Sequence, residues 1–337
     1  MNQALASPPP TGRPEGLATA EEAEIRLKPV RISGRSRFIV WLMRRFLRPM
    51  LRRMIGGSVE RMARTQLFLA ARVCRDSSGL PVDYRVIGRV PGHFIGGVHN
   101  PQGRVVLWLH GGAFILPAVP DVHVRTVARM CRALDAVGFL PDYRLAPFNK
   151  FPAALDDCER AYRGLLDLGY APERIALGGE SAGGNLLLGL LQRIRKAGLP
   201  MPCCGVPVSP GTEMGRVHGP PSRTTRMRGD ALLPMDALAH VAELYAGGMD
   251  TSDPELSPLY ADCTGFPPLY LLVSDAEVLL DDTVLFARSA KQYGVDVSFE
   301  VWPVLPHAFP LFENWFPEVA QARKDIVAFM GKHLKGG

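Results

Sequence analysis

From Val82 onward, short apolar runs alternate with amphipathic stretches, and this alternation organises the chain. Val105-Val106-Leu107-Trp108-Leu109 reads as a strand buried on both faces, because five apolar residues in a row leave no polar side for water. Further strands are expected at Ala136 to Leu140, Ile175 to Leu177, Cys204 to Val208, Leu269 to Val273 and Val297 to Trp302. Between them, helical spacing appears at Val122 to Leu134, Ala153 to Leu168, Ala182 to Lys196 and Thr283 to Tyr293, with a last helix from Pro317 to Phe329. Strands alternating with helices predict a mostly parallel sheet covered on both faces, with its reactive groups at the carboxyl ends of the strands.

Two stretches depart from this rhythm. Residues 211–255 are loop-like at first, with Pro220-Pro221, and then offer a helix at Pro234 to Ala246. Upstream, Phe38 to Ile55 puts Leu42, Met43, Phe46, Leu47, Met50 and Met54 at helical spacing, with Arg44, Arg48 and Arg52 on another face. Pro49 is expected to kink or interrupt that helix. Residues 1–24, rich in Pro, Ala, Gly and Glu, read as a loose tail with a short helix near Glu21. The domain reading is an N-terminal basic segment at 1–75 and an insertion at 211–255 forming a cap over a core at 76–210 and 256–337.

Charge sharpens that division. Residues 1–75 hold fifteen Lys/Arg against five Asp/Glu, while the remainder is slightly acidic, so the overall +6 belongs to the N-terminal segment. A main body of that sign is a poor nucleic-acid binder, whereas the basic, amphipathic stretch 38–55 suits either a helix packed on the main body as part of the lid with its arginines solvated, the commoner case for such helices, or weak peripheral contact with an anionic membrane. No apolar run approaches the ~20 residues of a membrane span, and the first 37 residues show no secretory h-region, so the expected location is cytoplasmic, peripheral at most. The six cysteines form no C-x-x-C pair and suggest neither zinc nor a disulfide framework. The oligomeric state is open, a homodimer included.

The strongest chemical signal is Gly179-Glu180-Ser181-Ala182-Gly183, between an expected strand and an expected helix. It matches G-x-S-x-G, in which a sharp turn exposes the serine hydroxyl. Alone it is weak, since an accidental match arises about once in seven such chains. A serine nucleophile needs a base, and in this architecture the order is serine, acid, histidine. His307 follows the strand ending at Trp302 and fits, while His333 lies in the polar tail. Ser274-Asp275-Ala276-Glu277 supplies two carboxylates at the end of the preceding strand, and spacing does not separate them. Asp281 and Asp282 read as solvated groups capping the next helix. Backbone N–H groups of Gly111, Gly112 and Ala182 are the expected oxyanion donors.

Together these residues resemble the hormone-sensitive-lipase-like family of α/β-hydrolases. The resemblance runs over about residues 80–335 and rests on His110-Gly111-Gly112-Ala113-Phe114, Asp142-Tyr143-Arg144-Leu145-Ala146-Pro147, Phe151-Pro152-Ala153-Ala154, Gly179-Glu180-Ser181-Ala182-Gly183-Gly184-Asn185, Ser257-Pro258-Leu259-Tyr260, Glu277-Val278-Leu279-Leu280-Asp281-Asp282 and Pro306-His307-Ala308-Phe309. It implies an α/β-hydrolase fold with a helical cap, Ser181 as nucleophile and His307 as base. It favours Glu277 as the acid, since the family acid precedes an x-Leu-x-Asp stretch, and leaves Asp275 as runner-up. Two departures stand out: Ala113 where the family commonly has a third glycine, and Glu180 where it often has Asp.

The expected function is a serine carboxylesterase or lipase cleaving short- to medium-chain acyl esters through an acyl-enzyme, with no metal or organic cofactor. An amidase or deacetylase would use the same triad. A non-catalytic ligand binder on this fold is disfavoured by the intact order of Ser181, Glu277 and His307.

Overall fold

The computed structural model describes residues 27–72, 74–215 and 219–335. The helix expected near Glu21 therefore lies outside the described residues. In chain order the elements are α1 (Gly34–Leu42), a π-helical turn Met43–Leu47, α2 (Arg48–Ile55), α3 (Val59–Ala70), β1 (Val82–Ile87), β2 (Val90–Ile95), β3 (Arg104–Leu109), α4 (His123–Leu134), β4 (Ala136–Pro141), α5 (Ala153–Asp167), β5 (Ile175–Glu180), α6 (Ala182–Lys196), β6 (Cys204–Val208), α7 (Ser222–Thr225), α8 (Met235–Ala246), β7 (Leu269–Ser274), α9 (Leu280–Gln292), β8 (Val297–Trp302) and α10 (Val319–His333).

The eight strands form one sheet in the order β1-β2-β4-β3-β5-β6-β7-β8. β1 and β2 are an antiparallel hairpin, β2 pairs antiparallel with β4, and every later pairing is parallel. The central strands show why the apolar runs are continuous. Val105, Leu107 and Leu109 of β3 enter one core with Leu155 of α5, Leu186 of α6 and Phe286 of α9. Val106 and Trp108 enter the other, with Val127 of α4 and Ile326 of α10. A period-two strand buried on both sides has no position left for a polar residue.

Pro49 does not break the helix. The chain stays helical from Gly34 to Ile55, and the π turn directly precedes α2, whose second residue is Pro49. A widened turn and a first-turn position together accommodate a residue that lacks an N–H.

At the centre of the sheet, β5 hands the chain to α6 through Ser181, whose φ of 57° and ψ of −120° lie outside the favoured regions for a side-chain-bearing residue. Such a conformation costs about 1–3 kcal/mol and persists only where its surroundings hold it. Here Ser181 N–H donates to Val208 O at 2.9 Å, and Ser181 O accepts from Asn185 N–H at 3.0 Å. Gly183 lets α6 press onto β3, since a Cβ there would sit 1.9 Å from Leu109 O.

Candidate active site

Three strand ends place the three expected groups. Ser181 follows β5, Glu277 sits in the turn after β7, and His307 in the turn after β8. His307 Nδ1–H donates to Glu277 Oε2 at 2.6 Å, and both side chains are buried. The other carboxylate oxygen, Oε1, accepts from Ser209 Oγ–H and Ser274 N–H, each at 2.8 Å. Burial raises the Glu277 pKa above the ordinary carboxylate value, and His307 opposes the shift. For His307, burial pulls the pKa down but the Glu277 carboxylate outweighs it, leaving it above the ordinary 6.5. Its second ring nitrogen, Nε2, is buried without a hydrogen-bond partner among the described residues. His307 and Ser181 line the same cavity.

Asp275, the runner-up, does something else. Its Oδ1 accepts the N–H of Val304 at 2.7 Å. Val304 is β-branched yet has a φ of 66°, so Asp275 secures a strained backbone position three residues before His307. Asp281 and Asp282 are not solvated caps. Asp282 is fully buried, with Arg223 reaching it through Nε at 2.9 Å and Nη2 at 2.5 Å, and Thr212 N–H at 2.9 Å. Asp281 accepts Ser222 N–H at 2.7 Å. Both carboxylates anchor the 211–255 segment, whose residues are far from them in sequence.

One of the expected oxyanion donors already has a partner. Gly111 N–H donates to Glu180 Oε1 and is committed there. Gly112, Ala113 and Ala182 N–H carry no intramolecular hydrogen bond among the described residues. Gly112, Ala113 and Phe114 all have positive φ, at 125°, 55° and 61°, so the turn after β3 is wound against the usual hand. Ala113 bears a methyl group where glycine would be unstrained.

Glu180 emerges as a structural hub. Besides Gly111 it accepts Trp108 Nε1–H at 2.5 Å, and His123 Nε2 lies 3.1 Å from Oε1. His123 Nδ1 accepts Val119 N–H at 2.8 Å, which puts the imidazole proton on Nε2, facing Glu180. His110 supports the same turn from behind. Its Nδ1–H donates to Gly111 O at 2.7 Å, its ring stacks on Tyr143 at 4.2 Å, and burial together with nearby His123 pushes its pKa down to about 4. Ser209, Asp230, His123 and Arg223 were not singled out from the sequence, because each is defined by a partner distant along the chain. Asp230 Oδ2, for example, accepts Val278 N–H at 3.0 Å and ties the 211–255 segment to the acid turn.

The cavity holds about 500 Å³ and is mostly apolar. Leu47, Leu51 and Ile55 of the N-terminal helices line it, as do Leu233, Leu238 and Val241 around α8. Among the described residues, no group of three or more His, Cys, Asp or Glu is placed to hold a metal ion, and no helix is long and apolar enough to cross a membrane.

Residues 106–311 match the family model described as alpha/beta hydrolase fold. An acetyl-hydrolase of Streptomyces hygroscopicus is 37% identical over 229 residues, covering 68% of this chain and 76% of that protein. Esterase LipU of Mycobacterium tuberculosis is likewise 37% identical over 229 residues, covering 66% and 76%. The crystal structure of an esterase from the bacterial hormone-sensitive lipase family superposes with a TM-score of 0.79 at 33% identity, covering 91% of this chain and all of that one. The chain belongs to the hormone-sensitive-lipase-like family of α/β-hydrolases.

Proposed function

We propose that this carboxylic ester hydrolase cleaves acyl esters with Ser181 as nucleophile, His307 as general base and acid, and Glu277 as the carboxylate that orients and stabilises His307. The observation that carries the reading is the buried His307–Glu277 hydrogen bond beside the cavity that Ser181 lines. His307 Nε2 takes the Ser181 Oγ proton as Oγ bonds to the ester carbonyl carbon. The resulting oxyanion is held by Gly112, Ala113 and Ala182 N–H, the three groups left uncommitted around the elbow. Collapse breaks the bond to the alkoxy group, which leaves as the alcohol with the proton from His307. Water then adds to the acyl carbon while giving a proton to His307, and collapse breaks the bond to Ser181 Oγ, which takes that proton back from His307 as the acid leaves. Every proton and electron pair in these steps is carried by these residues, the substrate and water.

The 1–75 and 211–255 segments act as the cap in this reading, over a core at 76–210 and 256–337. Support comes from Leu51 of α2 and Leu238 of α8 lining one cavity and from the exposed Arg52–Asp236 pair between those helices. The apolar lining suits short- to medium-chain acyl groups. The reading also includes weak peripheral contact of residues 38–55 with a membrane surface, supported by the exposure of Phe38, Trp41, Phe46 and Met50. Replacement of Ser181 by alanine should abolish turnover of p-nitrophenyl butyrate, and undiminished turnover in that variant overturns the assignment.

A further inference from the structure

The π turn and α2, which wall the cavity, together with the neighbouring α1 and α3, present an unusual outer surface. From Gly34 to Ala70 the chain carries nine arginines and one acid, Glu60. Among the described residues, only Arg52 of these arginines forms an ion pair with a carboxylate, and both partners of that pair are exposed. Interleaved with them, Phe38, Trp41, Phe46, Met50, Leu67 and Phe68 are between 49% and 74% exposed. Arg45 lies over the Phe46 ring and Arg72 over Phe68, at 5.4 and 4.5 Å from the ring centres.

Large apolar side chains left in water are unfavourable unless something covers them. The covering partner is set by charge. A second copy docked face to face would bring the same arginine-rich surface against itself, since a two-fold interface is self-complementary. The patch therefore calls for an anionic partner that also accepts aromatic and aliphatic groups. A bilayer containing anionic lipid provides both: headgroups for arginine and an interfacial layer for Trp, Phe and Leu.

The same helical layer faces inward. Leu47, Leu51 and Ile55 line the cavity that holds Ser181 and His307, while Phe46 and Met50, one residue from Leu47 and Leu51, are exposed. One helix thickness thus separates the outer patch from the apolar cavity. The geometry points to a docking face, made by α1, the π turn, α2 and α3, that seats the protein on an anionic bilayer and admits a membrane-resident acyl ester to the cavity beneath α2. The docking stands on the surface alone; the substrate class rests on the ester-hydrolase reading.

The test uses the full chain and vesicles of phosphatidylcholine, alone or with an equal share of phosphatidylglycerol. The wild type should co-sediment with the anionic vesicles at low salt, release as salt rises, and bind the neutral ones far less. A Phe38→Ser/Trp41→Ser/Phe68→Ser variant and an Arg44→Gln/Arg45→Gln variant should both bind at least tenfold more weakly; each arginine near the surface is worth about fivefold in affinity. Both variants should hydrolyse water-soluble p-nitrophenyl acetate like the wild type, yet lose several-fold on a p-nitrophenyl ester carried in anionic vesicles. Absence of wild-type binding at low salt overturns the docking. So does a wild-type dimer that these variants convert to monomer, or retention on a DNA oligonucleotide at salt that releases the vesicles. Vesicle binding through this face without turnover of either ester would retain the docking and contradict the ester-hydrolase reading.

Discussion

Glu277 Oε2 lies 2.6 Å from Nδ1 of His307, thirty positions away in the chain, while Asp275 holds the backbone N–H of Val304. The two carboxylates that the spacing left equivalent thus have different partners. Glu277→Gln is expected to lower kcat by about 10³–10⁴-fold, the scale seen when a triad acid is neutralised without loss of shape. Asp275→Asn removes one hydrogen-bond acceptor of better strength and should cost about 1 kcal/mol of stability, with kcat within a few-fold of wild type. Steady-state kinetics on p-nitrophenyl butyrate separate the two, and the reverse ranking would assign the acid to Asp275.

The same pair sets a pH dependence. Burial lowers the proton affinity of His307, but the Glu277 carboxylate raises it further, for a net value above 6.5. Protonated His307 cannot accept the serine proton, so kcat/KM on a neutral ester should fall as pH drops through a midpoint above 6.5. In Glu277→Gln the main raising partner is gone and burial is opposed only by the Asp230 and Glu180 carboxylates, so the residual activity should show a midpoint moved to lower pH. An unmoved midpoint would mean that the limb reports another group.

Glu180 ties the turn after β3, to which the proposed mechanism assigns the oxyanion, to the turn at Ser181, because one carboxylate holds Gly111 N–H and Trp108 Nε1–H and faces His123 Nε2. In Glu180→Gln three donors meet a group with one acceptor oxygen, and the turn loses part of its hold. Misplacing one oxyanion donor costs about 10²–10³-fold in kcat. The expected outcome is therefore a kcat reduced on the order of 10²-fold with a much smaller change in KM. A change confined to KM would show that Glu180 shapes binding only.

Gly183 is a packing constraint of another kind. With Leu109 O only 1.9 Å from the position of an added Cβ, Gly183→Ala must push α6 away from β3. Overpacking at a rigid backbone contact should cost about 3 kcal/mol. A denaturant titration measures this, and a loss below about 1 kcal/mol would show that the helix shifts freely.

β6 and α6 have the bounds that the apolar pattern predicts, because a central strand and its helix must be apolar on defined faces, and the edge strand β8 keeps its predicted bounds although only Val301 and Trp302 of it are buried. The β1–β2 hairpin was not resolved by pattern: Pro91 and Gly92 interrupt β2, and Tyr84 and Val86 of the edge strand β1 face water. α3 escaped for a related reason, since Met62 is its one fully buried residue and Leu67 and Phe68 are exposed. In the site, Ser181 and His307 were marked by turns local in sequence. Gly111, expected as an oxyanion donor, has its N–H taken by a carboxylate sixty-nine positions away, a partner that no local pattern reveals. For a similar reason Asp282 is not the expected solvated cap, its buried partner Arg223 lying fifty-nine positions upstream in α7, a helix of four residues too short to show a period.

The central claim is that Ser181 becomes acylated with the help of His307. Peptide mass spectrometry after reaction with a fluorophosphonate tests it most directly. The account predicts a single adduct on the peptide containing Ser181, absent in Ser181→Ala and formed far more slowly in His307→Ala. An adduct on a different serine, or full labelling of Ser181→Ala, would contradict it.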